Sequence, residues 1–258
     1  MLADKRYEYI LRETERKGFV QTGHLAQELH VSETTIRRDI EELDRQSRLI
    51  RVHGGAKSLA KQYIVSSKDE RRMQDRHDLQ AKEKELICAK AAAMVKDGDS
   101  VFIDGGTTLV PLVRQLNKRR VKIVTHSVLA AEAFDSDTAE LFLLPGNYDP
   151  YYAMNTGPAT EEMLEKFHFS IAFLSCLGID AVSQEVYTAE MSTPSVKRVA
   201  ARQSARKVLL SDSSKLDVTG YYTMCHTGSV DMVIMDAGAL RIGKENLPEN
   251  FVIVKEEK

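Results

Sequence analysis

The stretch VSETTIRRDIEEL, residues 31–43, decides how the first part of the chain is read. Ile36, Ile40 and Leu43 recur at helical spacing and form one apolar stripe, while Ser32 stands where its hydroxyl can cap the first turn. At about 100° per residue, Thr34 and Arg38 project nearly opposite that stripe, with Arg37 on the flank. A core has no use for those side chains. They could simply solvate the helix, Arg37 and Arg38 pairing with Asp39, Glu41 and Glu42. The flanking sequence favours a different reading.

Upstream, Tyr9 and Ile10, with Tyr7 or Leu11, make a helical stripe that ends at Lys17-Gly18, where glycine suits a C-terminal cap. FVQ (19–21) reads as a very short strand, and Thr22 can cap a second helix that turns Leu25, Ala26 and Leu29 inward. Downstream, RLIRVHGGA (48–56) reads as a β-ribbon with Gly54-Gly55 at its turn. Two helices joined by a short turn, the second presenting Thr and Arg from its first turns, have the geometry of a recognition helix entering a DNA major groove. Arginine forks onto guanine edges or phosphates, and hydroxyls bond to either. The ribbon would place Arg51 and His53 beside the groove as a wing.

These motifs carry a family resemblance. RYEYILRETERKGFVQTGHLAQEL (6–29) followed by VSETTIRRDIEELDRQSRLIRVHGGA (31–56) resembles the winged helix-turn-helix signature of the DeoR family of bacterial transcriptional regulators. The resemblance puts Ser32, Thr34, Thr35, Arg37 and Arg38 on the recognition helix and Arg51 and His53 on the wing. With Thr22 at the second helix, these are the expected DNA-binding residues, and double-stranded operator DNA is the expected partner.

Bulk composition neither supports nor opposes this. The 258 residues are 43% hydrophobic and 29% charged, with a formal net charge of −2, so attraction to nucleic acid would come from a local patch. Three cysteines, Cys88, Cys176 and Cys225, are too few and too scattered for a disulfide framework, which points to a reducing, cytoplasmic setting. The charged, amphipathic start and the lack of a long apolar run give no sign of export or membrane insertion.

Residues 58–80 are polar and mixed in charge and read as a connector between a head at 1–57 and a larger domain at 81–258. AKEKELICAKAAAMVKDGDS (81–100) reads as a helix with Leu86, Ile87, Ala91 and Met94 on one side and Gly98 closing it. Beyond it, SVFID, VKIVTHS, AELFLLPG, SIAFLSCLG, KVLLSDSSK, MVIMDAG and FVIVK are strand candidates that alternate with amphipathic helices. That alternation predicts a largely parallel sheet between helices. The expected fold class is therefore α/β: a winged helix-turn-helix plus a larger Rossmann-like domain.

In parallel sheets, ligands bind outside the carboxyl ends of the strands. Those ends carry Asp104-Gly105-Gly106-Thr107-Thr108, Thr125-His126-Ser127, Pro145-Gly146-Asn147, Cys176 to Asp180, and Asp212-Ser213-Ser214-Lys215. Glycines and hydroxyls there suit a phosphate, Lys215 adds a point charge, and Asp104 is placed to hold sugar hydroxyls. Neither a Walker A loop nor a GxGxxG fingerprint is present, so no nucleotide cofactor is indicated. Cys225-His226 lacks partners at zinc spacing, so no metal site is expected either, and Cys176 reads as core.

The resemblance continues through FIDGGTTLVPLVRQL, IVTHSVLAAEAF, NTGPATEEML, FLSCLGID and VLLSDSSKL, which are similar to the effector domain of DeoR-type regulators, itself similar to ribose-phosphate isomerases. By that resemblance a phosphorylated sugar or related metabolite is held by Asp104, Gly105, Gly106, Thr107, Thr108, Gly178, Asp180, Lys197, Asp212 and Lys215. The rim adds Thr125, His126, Ser127 and Gly146. The chain departs from the family pattern at Thr125-His126, usually TN, at Pro145-Gly146, usually GG, and at Ser192-Thr193-Pro194-Ser195, usually acidic. Glu190 is the candidate replacement carboxylate.

The function implied is a metabolite-gated regulator, a repressor of a carbohydrate-metabolism operon, acting as a homo-oligomer (dimer or tetramer) and not as an enzyme. The alternatives are a sugar-phosphate isomerase or deaminase with an accessory DNA-binding module, using Asp104, Asp180 or Glu190 as base, or a helix-turn-helix that contacts protein.

Overall fold

The structure is a computed structural model that describes residues 3–17, 19–46, 48–52, 54–58, 73, 76, 79–181, 183–189, 191–244 and 247–256. Its contacts divide the chain into two compact units, residues 1–64 and 65–258.

The first unit runs α1 (Ala3–Lys17), β1 (Phe19–Gln21), α2 (Thr22–Leu29), α3 (Glu33–Arg45), β2 (Leu49–Val52) and β3 (Gly55–Ser58). Its core is the set of stripes legible in the sequence: Ile10, Leu25, Ala26, Leu29, Ile36, Ile40 and Leu43 are all buried, joined by Val20, Leu49 and Ala56. Ser32 caps α3, its hydroxyl accepting from Thr35 N at 3.2 Å. Thr22 does not cap α2. Gln21 occupies the capping position without a side-chain bond, while Thr22 is already the first helical residue and is buried. The Thr22 amide instead donates to Gly54 O at 2.8 Å, so the hairpin turn does the work expected of a cap.

The hairpin also differs in detail. Val52 pairs with Gly55, which makes Gly55 a strand residue rather than part of the turn; Gly54, at φ +80°, keeps the turn position. Strand β1 pairs with β3, which completes a three-stranded antiparallel sheet in the order β1-β3-β2.

In the second unit, α4 (Ala81–Ala92) stops earlier than Gly98, which instead sits in a turn and donates to Arg120 O. All seven strand candidates form: β4 (Ser100–Ile103), β5 (Lys122–Thr125), β6 (Glu140–Leu143), β9 (Ile171–Leu174), β12 (Lys207–Leu210), β14 (Met232–Asp236) and β15 (Phe251–Val254). They make one parallel sheet in the order β15-β14-β12-β9-β4-β5-β6. The period-two alternation splits the core in two. Phe102, Ala172, Leu174 and Leu209 pack with α7 (Pro158–Leu164) and α8 (Thr193–Arg202) on one face. Val101, Ile103, Ile171 and Phe173 pack with α4, α5 (Val110–Leu116) and α6 (Val128–Glu132) on the other.

Two small antiparallel additions were not legible: a hairpin of β7 (Asn147–Asp149) and β8 (Met154–Thr156), and a sheet of β10 (Gly178–Ile179), β11 (Glu185–Thr188) and β13 (Tyr222–His226). These strands are too short and polar to leave a period. Among the described residues, no helix is long and apolar enough to cross a membrane.

Candidate functional site

On α3 the buried side is Ile36, Asp39, Ile40 and Leu43, and the opposite side exposes Thr34, Arg37 and Arg38. The arginines do not pair with Asp39, Glu41 and Glu42 as a solvated helix would have them. Asp39 is taken by Arg6 of α1 through two bonds, Nε to Oδ2 at 2.6 Å and Nη2 to Oδ1 at 2.9 Å. Glu41 binds Arg51 at 3.0 Å, Glu42 binds Arg45 at 2.7 Å, and Arg37 pairs with Glu33 at 3.3 Å. Among the described residues, Arg38 has no ion pair. Ser32 is exposed and Thr35 half-buried, their hydroxyls 2.9 Å apart at the helix start. Thr22 is buried and does not join this face, and His53 lies outside the described residues.

In the second unit the sheet reverses its winding direction between β4 and β9. Here the connections leave in opposite directions and a crevice opens at the strand ends. Gly106 follows β4, Ser175 and Cys176 follow β9, Lys215 lies in the 3-10 turn after β12, and Lys197 comes from α8; together with Thr107 they line a narrow cleft, partly open to solvent. Gly106 is needed for packing: a Cβ there would overlap the Ser175 side chain.

Beneath the cleft lies a closed polar network. Asp104 is 1% exposed. Its Oδ2 accepts from Ser175 N at 2.8 Å, from Ser175 Oγ at 2.6 Å and from the Lys197 ammonium; its Oδ1 faces His126 Nε2 at 3.0 Å. Lys197 also donates to Ser175 O at 3.0 Å. Burial acts to raise the Asp104 carboxyl, but the Lys197 ammonium and the His126 bond outweigh it and hold that carboxyl well below the usual carboxylate range. With its acceptor sites occupied, Asp104 does not present oxygens to the cleft as the sequence suggested. It anchors the lysine instead.

The remaining rim residues separate similarly. Thr125, His126 and Ser127 are fully buried: His126 Nδ1 donates to Asn155 O at 2.9 Å, Thr125 accepts from Ser127 N, and Ser127 caps α6. Gly105 packs against Met154, and Gly146 is exposed in the turn after β6. Gly178 is fixed by backbone contact, since a Cβ would collide with the Val218 carbonyl, and Asp180 caps its own turn by accepting from Ser183 N at 3.0 Å. Asp212 caps the turn that carries Lys215, accepting from Ser214 N at 3.2 Å. Lys215 itself reaches Cys176 O at 3.0 Å and Thr108 Oγ1 at 3.5 Å. Glu190 lies outside the described residues.

Of the candidates, then, Gly106, Thr107, Lys197 and Lys215 meet at the cleft. Sequence reasoning missed Ser175, Thr193, Met73 and Arg76, which also line it. Ser175 sits inside a quoted motif, but Met73 and Arg76 come from a connector with no periodicity to flag them. Cys176 is both core and cleft wall, with burial pushing its thiol up; Cys88, also pushed up by burial, donates to Thr108 O at 2.9 Å. Among the described residues, no His, Cys, Asp and Glu cluster could hold a metal ion.

Comparison with known proteins follows the same division. Residues 6–62 match the family described as the DeoR-like helix-turn-helix domain, and residues 79–237 match the DeoR C terminal sensor domain. A lactose phosphotransferase system repressor from Streptococcus mutans is 32% identical over 87% of this chain and 89% of its own length. Another of that name from Staphylococcus aureus is 29% identical, over 90% of this chain and 91% of its own. Ribose 5-phosphate isomerase A from Methanocaldococcus jannaschii superposes at a TM-score of 0.37 with 18% identity, over 52% of this chain and 53% of that one. On the strength of the two domain matches and the near full-length similarity, the chain belongs to the DeoR family of DNA-binding transcriptional regulators.

Proposed function

We propose that this regulator is a repressor of a sugar-handling operon, that residues 1–57 grip the operator, and that a phosphorylated sugar in the cleft of residues 81–258 controls the grip. Residues 58–80 connect the two. The observation that carries the effector reading is the charge balance of the cleft. Asp104 neutralises Lys197, whereas among the described residues Lys215 has no carboxylate partner and so leaves net positive charge beside Gly106 and Thr107. An anion is the ligand that such a site favours. The naming of both relatives as repressors of a lactose phosphotransferase system supports a phosphorylated carbohydrate as effector.

Ligand binding can shift operator affinity only by favouring one arrangement of the chain over another. As a homo-oligomer, dimer or tetramer, the protein would present recognition helices roughly 34 Å apart, or a multiple of that, to repeated half-sites. Lys215 and Lys197 would meet the phosphoryl group and Thr107 would add a hydroxyl. Asp104, His126 and Ser175 would hold Lys197 in place. No cofactor is required, the site of action is the cytoplasm, and catalysis is not part of the reading: of the candidate bases among the described residues, Asp104 is sealed beneath the cleft and Asp180 is committed to its own turn.

A thermal-shift screen of pentose and hexose phosphates against the unphosphorylated sugars tests the effector class, because a ligand of the native state raises apparent stability by mass action. The phosphorylated forms should raise Tm, and sustained turnover of any of them would return the chain to the enzymes. Two substitutions separate the modules. Arg38→Ala should weaken operator binding about tenfold and leave the thermal response to sugar phosphate intact. Lys215→Ala should do the reverse, with about a tenfold loss of sugar-phosphate affinity. Fluorescence anisotropy on operator DNA and calorimetric titration of the sugar, run on both variants, give the four numbers; equal losses of both affinities in each would sink the division of labour.

A further inference from the structure

The network beneath the cleft holds a proton that the simple pairing of Asp104 with Lys197 leaves out. His126 is fully buried, and both of its ring nitrogens meet acceptors. Nδ1 lies 2.9 Å from Asn155 O, a backbone carbonyl that can only accept, so Nδ1 carries a hydrogen. Nε2 lies 3.0 Å from Asp104 Oδ1, and a neutral ring already protonated at Nδ1 would turn a lone pair toward that oxygen. A contact this short needs a proton between the two atoms. The other oxygen of the carboxylate decides which of them keeps it. Oδ2 accepts from Ser175 N, from Ser175 Oγ and from the Lys197 ammonium, three donors that favour the ionised acid and so leave the proton on the ring. Asp104 is the charged group that meets the ring, and Lys197, from α8, is the one across the carboxylate. From β4 the ring also meets Phe102, stacked at 6.1 Å between centroids, and the Asn155 side chain of β8 spends its amide on Leu144 O.

We infer that His126 is a positioning residue for the anion site: as an imidazolium it shares the Asp104 charge and so leaves charge on Lys197 for the ligand to neutralise. This rests on the proposed anion site and deepens it. One carboxylate stands between two cations, so the buried trio carries one positive charge in excess. An uncompensated charge in a dry interior is costly. Lys197 is the member of the trio that reaches the cleft, and an anion bound there relieves the imbalance. His126 touches no ligand and acts through Asp104. Were the ring to lose its second proton, Asp104 would balance Lys197 alone, and the cleft would lose part of its pull. Anion and proton are therefore linked, each favouring the binding of the other.

Inorganic sulfate is the probe, because its charge stays fixed over the range in which a histidine titrates. Calorimetry on the full-length protein reads its affinity, and nitrogen-15 NMR reads the histidine rings, the His126 signals being those missing from His126→Gln. In the unmodified protein at neutral pH, both ring nitrogens of His126 should show the imidazolium signature. As the pH rises, sulfate affinity should fall in step with the loss of that signature. His126→Gln offers Asp104 a neutral donor; its sulfate affinity should be lower on the order of tenfold at neutral pH, the scale of one charge acting through several ångströms of protein, and flat across the same titration. Unchanged melting of the ligand-free variant separates this from a packing defect, and should the variant not fold, the paired titrations of the unmodified chain decide. A neutral His126 ring in the unmodified protein, or a folded glutamine variant with the same sulfate affinity and pH profile, overturns the inference while the anion site stands. If the unmodified chain binds no sulfate, both fail together.

Discussion

Asp104→Ala should cost the sensor domain about 3–5 kcal/mol of stability, on the order of 10 °C in Tm, because it leaves the Lys197 ammonium buried without its counter-charge. The loss comes from the orphaned partner more than from the missing bond. A double-mutant cycle makes this measurable. Lys197→Met alone should also destabilise, since it strands the Asp104 carboxylate, but the double variant Asp104→Ala/Lys197→Met should be less unstable than the sum of the two. Strict additivity in chemical denaturation would mean that the pair is not coupled, contrary to the geometry.

The same carboxylate fixes the sign of an acid response. Its native pKa lies below the unfolded value of about 3.9, so the unfolded chain takes up a proton first as the pH falls. The stabilisation is therefore complete above roughly pH 4–5 and is lost progressively at lower pH, toward the depressed native pKa. Asp104→Asn removes that titration, so its stability should fall less steeply than that of the unmodified protein through this acid range.

Asp39→Ala should have the second largest effect, about 2–3 kcal/mol on the head. The Arg6–Asp39 pair is bidentate, with Asp39 nearly sealed and Arg6 13% exposed, so solvent relieves part of the cost of stranding the guanidinium. Since the pair ties α1 to α3, operator affinity should fall together with the melting temperature of the head. Arg38→Ala differs in kind: it should lose DNA affinity without moving the melt. A melt shift in Arg38→Ala equal to that in Asp39→Ala would mean that Arg38 is a structural residue.

The contrast between neighbouring residues 38 and 39 shows what a sequence displays and what it hides. The α3 stripe, the Ser32 cap and the seven strands were legible because each is a local regularity: a period of 3.6, a hydroxyl before a helix, a run of apolar residues. Asp39 looked like one more charge on a solvated face because its partner is 33 positions away. The candidate sensor site was hidden in the same way. The strand-end rule located the rim, but it could not say that Asp104, Thr125, His126 and Ser127 turn into the protein while Lys215 turns toward the cleft. Burial of a polar side chain is settled by partners contributed from several elements, here β4, α8 and the residues following β5 and β9. Ser175 and Arg76 were missed for the same reason.

The three thiols carry a consequence for chemistry outside ligand binding. Burial pushes the Cys88 and Cys176 thiols up, and Cys225 to about 11, so thiolate, the form that peroxides and electrophiles attack, is scarce at neutral pH. Oxidation of these thiols by mild oxidants should accordingly be slow, so a cysteine-based redox response is not the chemistry that this chain favours.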